Sequence, residues 1–193
     1  MSHDSHATGH ADGLAARVHE ATGESVANCY QCGKCSAGCP LAAEMDYPPS
    51  RILRMLQLDL PELDAQVLAS HAIWLCLTCE MCHARCPKEV DLPRIMEHLR
   101  EESLHRGTVN PKAKDILAFH KAFLDAVRHT GRLYEMGLIG SYKMRTLHLL
   151  QDMLVAPTML KRGKLHFLPK TIEGRARVSE IFDRTIDTKE DKG

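Results

Sequence analysis

The stretch CYQCGKCSAGCP runs from Cys29 to Pro40, and a second, CLTCEMCHARCP, runs from Cys76 to Pro87. Both follow one pattern, C-x2-C-x2-C-x3-C-P. Cys29, Cys32, Cys35 and Cys39 each recur 47 residues later, as Cys76, Cys79, Cys82 and Cys86, and these eight are all the cysteines of the chain. Four thiols repeated at one constant offset read as an internal duplication of a site.

Three cysteines spaced by two residues sit on successive bends of a short loop and can wrap three corners of one inorganic core. The fourth, followed by proline, leaves in another direction. This spacing is that of the bacterial [4Fe–4S] run, in which the fourth cysteine ligates the other cluster of a two-cluster ferredoxin. The expected ligand sets are therefore crossed. One [4Fe–4S] cluster takes Cys29, Cys32, Cys35 and Cys86, and the other takes Cys76, Cys79, Cys82 and Cys39. Zinc is the competing metal, but it favours paired C-x2-C knuckles with four sulfurs per ion. The interiors of the two copies differ. Gly33 and Gly38, small residues suited to letting backbone N–H groups near sulfur, are replaced by Glu80 and Arg85, with Leu77, Met81 and His83 nearby. Unequal cluster potentials are one consequence, because hydrogen bonds and charge tune such centres; neutral loop variation is the other. With four sulfurs already available to each cluster, His83 is expected at the surface or behind the ligands.

The 193 residues suit one domain, or one compact core with extensions. Lys+Arg and Asp+Glu stand at 25 each, so no basic field points to nucleic acid or anionic lipid. The first twenty residues lack the apolar segment of a secretory signal. No run of 18 or more apolar residues exists; the nearest, LHLLQDMLVAPTML (147–160), is too short and carries Asp152. A reducing, cytoplasmic setting follows as the expectation, and there eight regularly spaced cysteines are metal ligands rather than disulfides.

The remainder has helical spacing and no alternating strand pattern. Pro48-Pro49-Ser50 opens a helix over RILRMLQL (51–58), and Pro61 opens another over PELDAQVLASHAIWL (61–75). Asp91 caps a helix that Gly107 ends. Asn110-Pro111 leads one that Gly131 closes. The fold class is all-α: an α-helical ferredoxin core with two cluster loops, plus an extended helical C-terminal arm. The expected division is 1–24 as a flexible N-terminal segment carrying His3, His6, His10 and His19, 25–107 as the di-cluster domain, and 108–193 as the extension. Phe119, Phe123, Tyr134, Met136, Leu138, Met144, Leu149, Leu150 and Met153 give that extension too much apolar surface for a free tail. They form either a second small helical core or an arm laid on partner subunits. No G-x-G-x-x-G, P-loop or H-E-x-x-H occurs, and no cysteine is left over as a nucleophile, so no catalytic residue is assigned.

The cysteine motifs, RILRMLQL, IWLCLTCEMCHARCPKEVD (73–91) and the tail GRLYEMGLIGSYKMRT (131–146) with GKLHFLPKTIEG (163–174) together resemble the HdrC component of heterodisulfide reductase, including its bacterial sHdr-type relatives, over about residues 25–187. The resemblance implies two [4Fe–4S] clusters on the eight cysteines matched one by one. It also implies a hetero-oligomer with an HdrA-like subunit, which holds flavin and iron–sulfur clusters, and an HdrB-like subunit with CCG domains. In that complex HdrC relays electrons and HdrB does the disulfide chemistry. Two alternatives stay open: the iron–sulfur subunit of a flavin dehydrogenase of glycolate or anaerobic glycerol-3-phosphate type, or a free two-cluster ferredoxin. Chains of the dehydrogenase type usually add CCG domains, and no adjacent cysteines occur here.

Overall fold

The structure, a computed structural model, describes residues 13–147, 156–163, 168–169 and 171–187. Leu149, Leu150, Met153, His3, His6 and His10 lie outside these, as does most of the apolar run at 147–160. Among the described residues every regular element is helical. The chain forms two compact units, 1–112 and 113–193, and each is described by itself.

The first unit opens with α1 (Leu14–Thr22). This corrects the expectation of a flexible segment over 1–24 for residues 14–22. Leu14 and Val18, one helical turn apart, are almost wholly buried, and α1 packs on helices from later in the chain. Its first backbone N–H, that of Leu14, donates to Asp64 Oδ2 at 3.1 Å, and Arg17 pairs with Glu102 at 3.3 Å. A terminal segment stays ordered when it has apolar contacts and a satisfied helix end.

The two motif loops carry one-turn helices, α2 (Lys34–Ala37) and, after three further helices, α6 (Met81–Ala84). Between them lie α3 (Pro49–Leu58), α4 (Pro61–Leu68) and α5 (Ala72–Leu75). Proline stands at the first position of both α3 and α4, where its missing N–H costs nothing. The start of α3 is capped from outside: the Ser50 N–H donates to Ser36 Oγ at 2.8 Å, which ties α3 to the first motif loop. The single helix expected over 61–75 is interrupted at Ala69–His71. There Asp46 accepts from the N–H groups of His71 and Ala72 at 2.7 and 2.9 Å and starts α5 afresh. α7 (Leu92–His105) begins as expected, with Asp91 Oδ1 accepting from the Arg94 N–H at 3.1 Å. Ile52, Leu56, Leu68, Ile73, Ile95, Met96 and Leu99 are fully buried and make the core that α3, α4, α5 and α7 share. The unit runs on to residue 112 because Asn110 Nδ2 donates back to the Ala69 carbonyl at 2.7 Å.

The second unit pairs α8 (Lys114–Thr130) with α9 (Glu135–Thr146), followed by α10 (Ala156–Lys161) and α11 (Arg175–Phe182), which packs on α8. Gly131 closes α8 with φ 77°, a left-handed cap that glycine adopts without penalty. Along α8 the buried residues are Ala122 and Thr130, both small. Phe119, Phe123 and Leu124 are exposed, and Phe119 meets Phe123 and Tyr142 at ring separations of 6.5 and 6.2 Å.

Candidate metal centres

The two motifs have one backbone repeated. Gln31 and Gly33 take left-handed φ values of 62° and 76°; their counterparts Thr78 and Glu80 take 50° and 61°. These two reversals, at the same places in each motif, turn the loop. The one-turn helices α2 and α6 start 47 residues apart and end alike, with Gly38 and Arg85 at φ −99° and −96°. Cys39 and Cys86 each donate a backbone hydrogen bond to the carbonyl three residues back, at 3.2 and 2.9 Å. Gly33 takes its left-handed φ without the penalty that Glu80 meets at the same place in the second motif. Gly38 is where the Arg85 side chain crosses: a Cβ there would lie 2.7 Å from Arg85 Cδ.

The sequence places the cysteines in two runs; the fold redistributes them between two cavities. One cavity is lined by Cys76, Cys79 and Cys82 together with Cys39 from the other motif. Its remaining walls are apolar, among them Met45, Leu75, Leu92 and Met96. The second is lined by Cys29, Cys32 and Cys35 together with Cys86, and Cys82 also reaches its wall. Each cavity thus brings together the four cysteines expected to act jointly. α2 and α6 pack against each other, which carries each fourth cysteine across. The flanks are crossed as well: Glu24, before the first motif, accepts from the Asp91 N–H after the second at 3.1 Å, while Asp46, after the first, holds the residues before the second.

None of the eight thiols is in a disulfide. Burial pushes the Cys82 thiol up to about 12, with the Cys76 charge adding to the effect, and burial likewise raises its counterpart Cys35. Cys32, at the surface, is lowered, first by the backbone N–H of Lys34. Buried thiols of this kind do not sit as bare thiolates; they hold a proton or a metal cation. Four soft sulfur donors, among apolar walls in the Cys39 cavity and among apolar walls with Lys34 in the other, fit an iron–sulfur cubane.

Each loop is gripped from outside by one long side chain. Gln57 Nε2, on α3, donates to the carbonyls of Val26 and Cys29 at 2.8 and 2.6 Å. Arg100, on α7, donates to the carbonyls of Ile73 and Cys76 at 2.6 and 2.7 Å. The four carbonyls are the same two positions of the repeat. Gln31 Nε2 extends the first clamp, donating to Gln57 Oε1 at 3.1 Å and lying 3.5 Å from Cys29 Sγ. Sequence reasoning missed both clamps, because Gln57 follows Cys29 by 28 residues and Arg100 follows Cys76 by 24, outside the constant offset.

His83 stands off the cavities. Its Nδ1 lies 3.5 Å from Glu80 and 3.8 Å from Asp91. Tyr30 and Leu77, at the same motif position, are 56% and 66% exposed and present a ring and an aliphatic side chain to solvent, Leu77 also lining the Cys39 cavity. Among the described residues no helix is long and apolar enough to cross a membrane.

Residues 25–90 match the family model of the 4Fe-4S dicluster domain. The chain is 29% identical over 103 residues to the C-type subunit of the H(2):CoB-CoM heterodisulfide,ferredoxin reductase of Methanothermobacter thermautotrophicus, covering 53% of this chain and 54% of that one. It is 31% identical over 113 residues to a C-type iron-sulfur subunit of the CoB–CoM heterodisulfide reductase of Methanocaldococcus jannaschii, covering 58% and 59%. It is 31% identical over 100 residues to the C-type subunit of the ferredoxin:CoB-CoM heterodisulfide reductase of Methanosarcina mazei, covering 52% and 60%. The chain spans about half the length of the curated relatives it matches. Its helical first unit carries a 4Fe–4S dicluster domain, and the chain is similar to the C-type subunits of heterodisulfide reductases.

Proposed function

We propose that the chain is the electron-transfer subunit of a heterodisulfide reductase-like complex, relaying single electrons between an HdrA-like flavin subunit and an HdrB-like subunit that performs the disulfide chemistry. The observation that carries this is the pair of four-cysteine cavities sharing a wall at Cys82. Bound there, [4Fe–4S] clusters supply one-electron storage at two adjacent points. Cys29, Cys32, Cys35 and Cys86 hold one, and Cys76, Cys79, Cys82 and Cys39 hold the other.

The protein's own part is to hold and screen. The apolar walls of the Cys39 cavity exclude water from sulfur. Gln57 and Arg100 fix the loops through their carbonyls, and the crossed fourth cysteines keep the two halves from drifting apart. Tyr30 and Leu77 offer apolar contact where a redox partner would meet each loop. The second unit, residues 113–193, acts as the partner-binding arm. Its α8–α9 pair buries small residues and leaves Phe119, Phe123 and Leu124 outside, as a surface awaiting another protein does. A reducing compartment such as the cytoplasm suits eight thiols reserved for iron.

The test is anaerobic purification of the full chain with HdrA-like and HdrB-like proteins co-produced. The expected result is about eight irons per chain, a stable assembly of all three, and reduction of the HdrB-like protein that requires this chain. Stoichiometric zinc with no visible absorbance overturns the assignment, and so does partnership with a flavin dehydrogenase alone or a stable monomer that serves unrelated acceptors.

A further inference from the structure

The two clamps are equivalent in position and differ in charge. Gln57 holds the first motif with a neutral amide; Arg100 holds the second with a guanidinium. Both hydrogen bonds of Arg100 are part-buried and end on carbonyl oxygens, and among the described residues no carboxylate pairs with it. A guanidinium stays charged at any accessible pH. Beneath the second loop there is therefore one permanent, partly desolvated positive charge, bonded to the backbone of the same residue that supplies the Cys76 sulfur.

We propose that Arg100 sets the two clusters apart, holding the one on Cys76, Cys79, Cys82 and Cys39 at a higher reduction potential than the one on Cys29, Cys32, Cys35 and Cys86. The inference rests on the proposed cluster assignment. Taking up an electron adds one negative charge to a cluster. A nearby cation stabilises that state, and more strongly where the surroundings are poorly polarisable. The cavity of Cys29, Cys32, Cys35 and Cys86 has a cation too, Lys34 on its rim. That side chain is exposed, so water and salt screen it, whereas Arg100 is part-buried and held on two carbonyls. Glu80, on the second loop, is also exposed, with 62% of its side chain open to solvent, and is screened in the same way; the part-buried difference between Gln57 and Arg100 is then what separates the two sites, and an electron shared by the pair rests on the second cluster.

The test uses the full chain with both clusters in place, verified beforehand by iron and sulfide content; a chain without them fails the cluster assignment and not this inference. An EPR-monitored titration with dithionite and redox mediators should show two transitions. In a Cys32→Ala chain, which keeps the second cluster alone, the upper one should remain. Arg100→Gln keeps donors for the carbonyls and removes the charge. It should shift the upper transition to lower potential and leave the other in place, while Arg100→Lys restores most of the wild-type value. Gln57→Arg should raise the lower transition. The inference is overturned if Cys32→Ala retains the lower transition, or if Arg100→Gln moves neither. Should Arg100→Gln not load its clusters, Gln57→Arg decides, and an unshifted lower transition in that chain overturns it.

Discussion

Crossed ligation makes a prediction about pairs of substitutions that single ones cannot make. Removing any one cysteine leaves one complete set of four, so each Cys→Ala chain should keep about four irons. Pairs separate the arrangements. Cys39 lines the cavity of Cys76, Cys79 and Cys82. Cys39→Ala with Cys79→Ala therefore strikes one cavity twice, and the Cys29, Cys32, Cys35 and Cys86 set survives with about four irons. Cys39→Ala with Cys32→Ala strikes both cavities, and iron should fall to near zero. The mirror pairs follow from Cys86 on the opposite wall: with Cys32 it should keep one cluster, and with Cys79 none. The assay is iron and acid-labile sulfide per chain, with far-ultraviolet circular dichroism to check that helix content holds. If each motif instead served a cluster of its own, the pattern would invert. Four irons in the Cys32/Cys39 chain and none in the Cys39/Cys79 chain would refute the crossed arrangement.

Other outcomes follow from the packing and the titrating groups. In the metal-free chain, Cys32, exposed and with its pKa lowered first by the Lys34 N–H, should be alkylated by iodoacetamide well before Cys82, which burial pushes up to about 12; peptide mass mapping over time checks the order. Burial works to raise the Glu102 carboxyl, but the hydrogen bond and charge of Arg106, with Arg17 and His98, outweigh it and hold the group below its usual value. Its stabilisation is then complete above the ordinary glutamate pKa of about 4.3 and lost as pH falls through the lowered value; thermal midpoints of Glu102→Gln should lie below wild type at neutral pH and converge with it in acid. Leu99→Ala empties a fully buried position and should cost about 2–5 kcal/mol. Phe123→Ala, on the exposed side of α8, should leave the thermal midpoint nearly unchanged and weaken capture by partner subunits.

The parts of this protein that local chemistry decides were legible in its residues. Asp91 caps α7 because a carboxylate there reaches the N–H three residues on, and Gly131 ends α8 because glycine takes a left-handed φ freely. The constant offset of the eight thiols pointed to two copies of one site, and the C-P spacing of two-cluster ferredoxins supplied the expectation of crossed sets; Cys39 lines the cavity of Cys76, Cys79 and Cys82, and Cys86 that of Cys29, Cys32 and Cys35. What stayed hidden depends on partners distant in sequence. In LAARVHEAT, Leu14 and Val18 stand one turn apart and mark an apolar face, but nothing local says that α3 and α7 will cover it. The break at Ala69–His71 needs Asp46, some 25 residues away. The clamps went unseen for the same reason: glutamine and arginine on a helix are ordinary surface residues until the carbonyls they reach are known.

Duplication followed by divergence accounts for the asymmetry of the two halves. A copied loop inherits its bends, and the left-handed residues of the second copy show how strictly. Glu80 holds the conformation of Gly33 although a side chain there costs of the order of 1–2 kcal/mol. Backbone shape was thus retained where a cheaper alternative existed, while the groups around it changed in charge: Gln57 against Arg100, Lys34 against Met81, Gly38 against Arg85. Shape fixes where four sulfurs meet; charge fixes how readily the metal they hold accepts an electron. Two centres with identical cages and identical surroundings would give an electron no reason to favour either one. Changing only the surroundings keeps the assembly of both cages intact while leaving room for the two potentials to differ, which is what the Arg100 substitutions test.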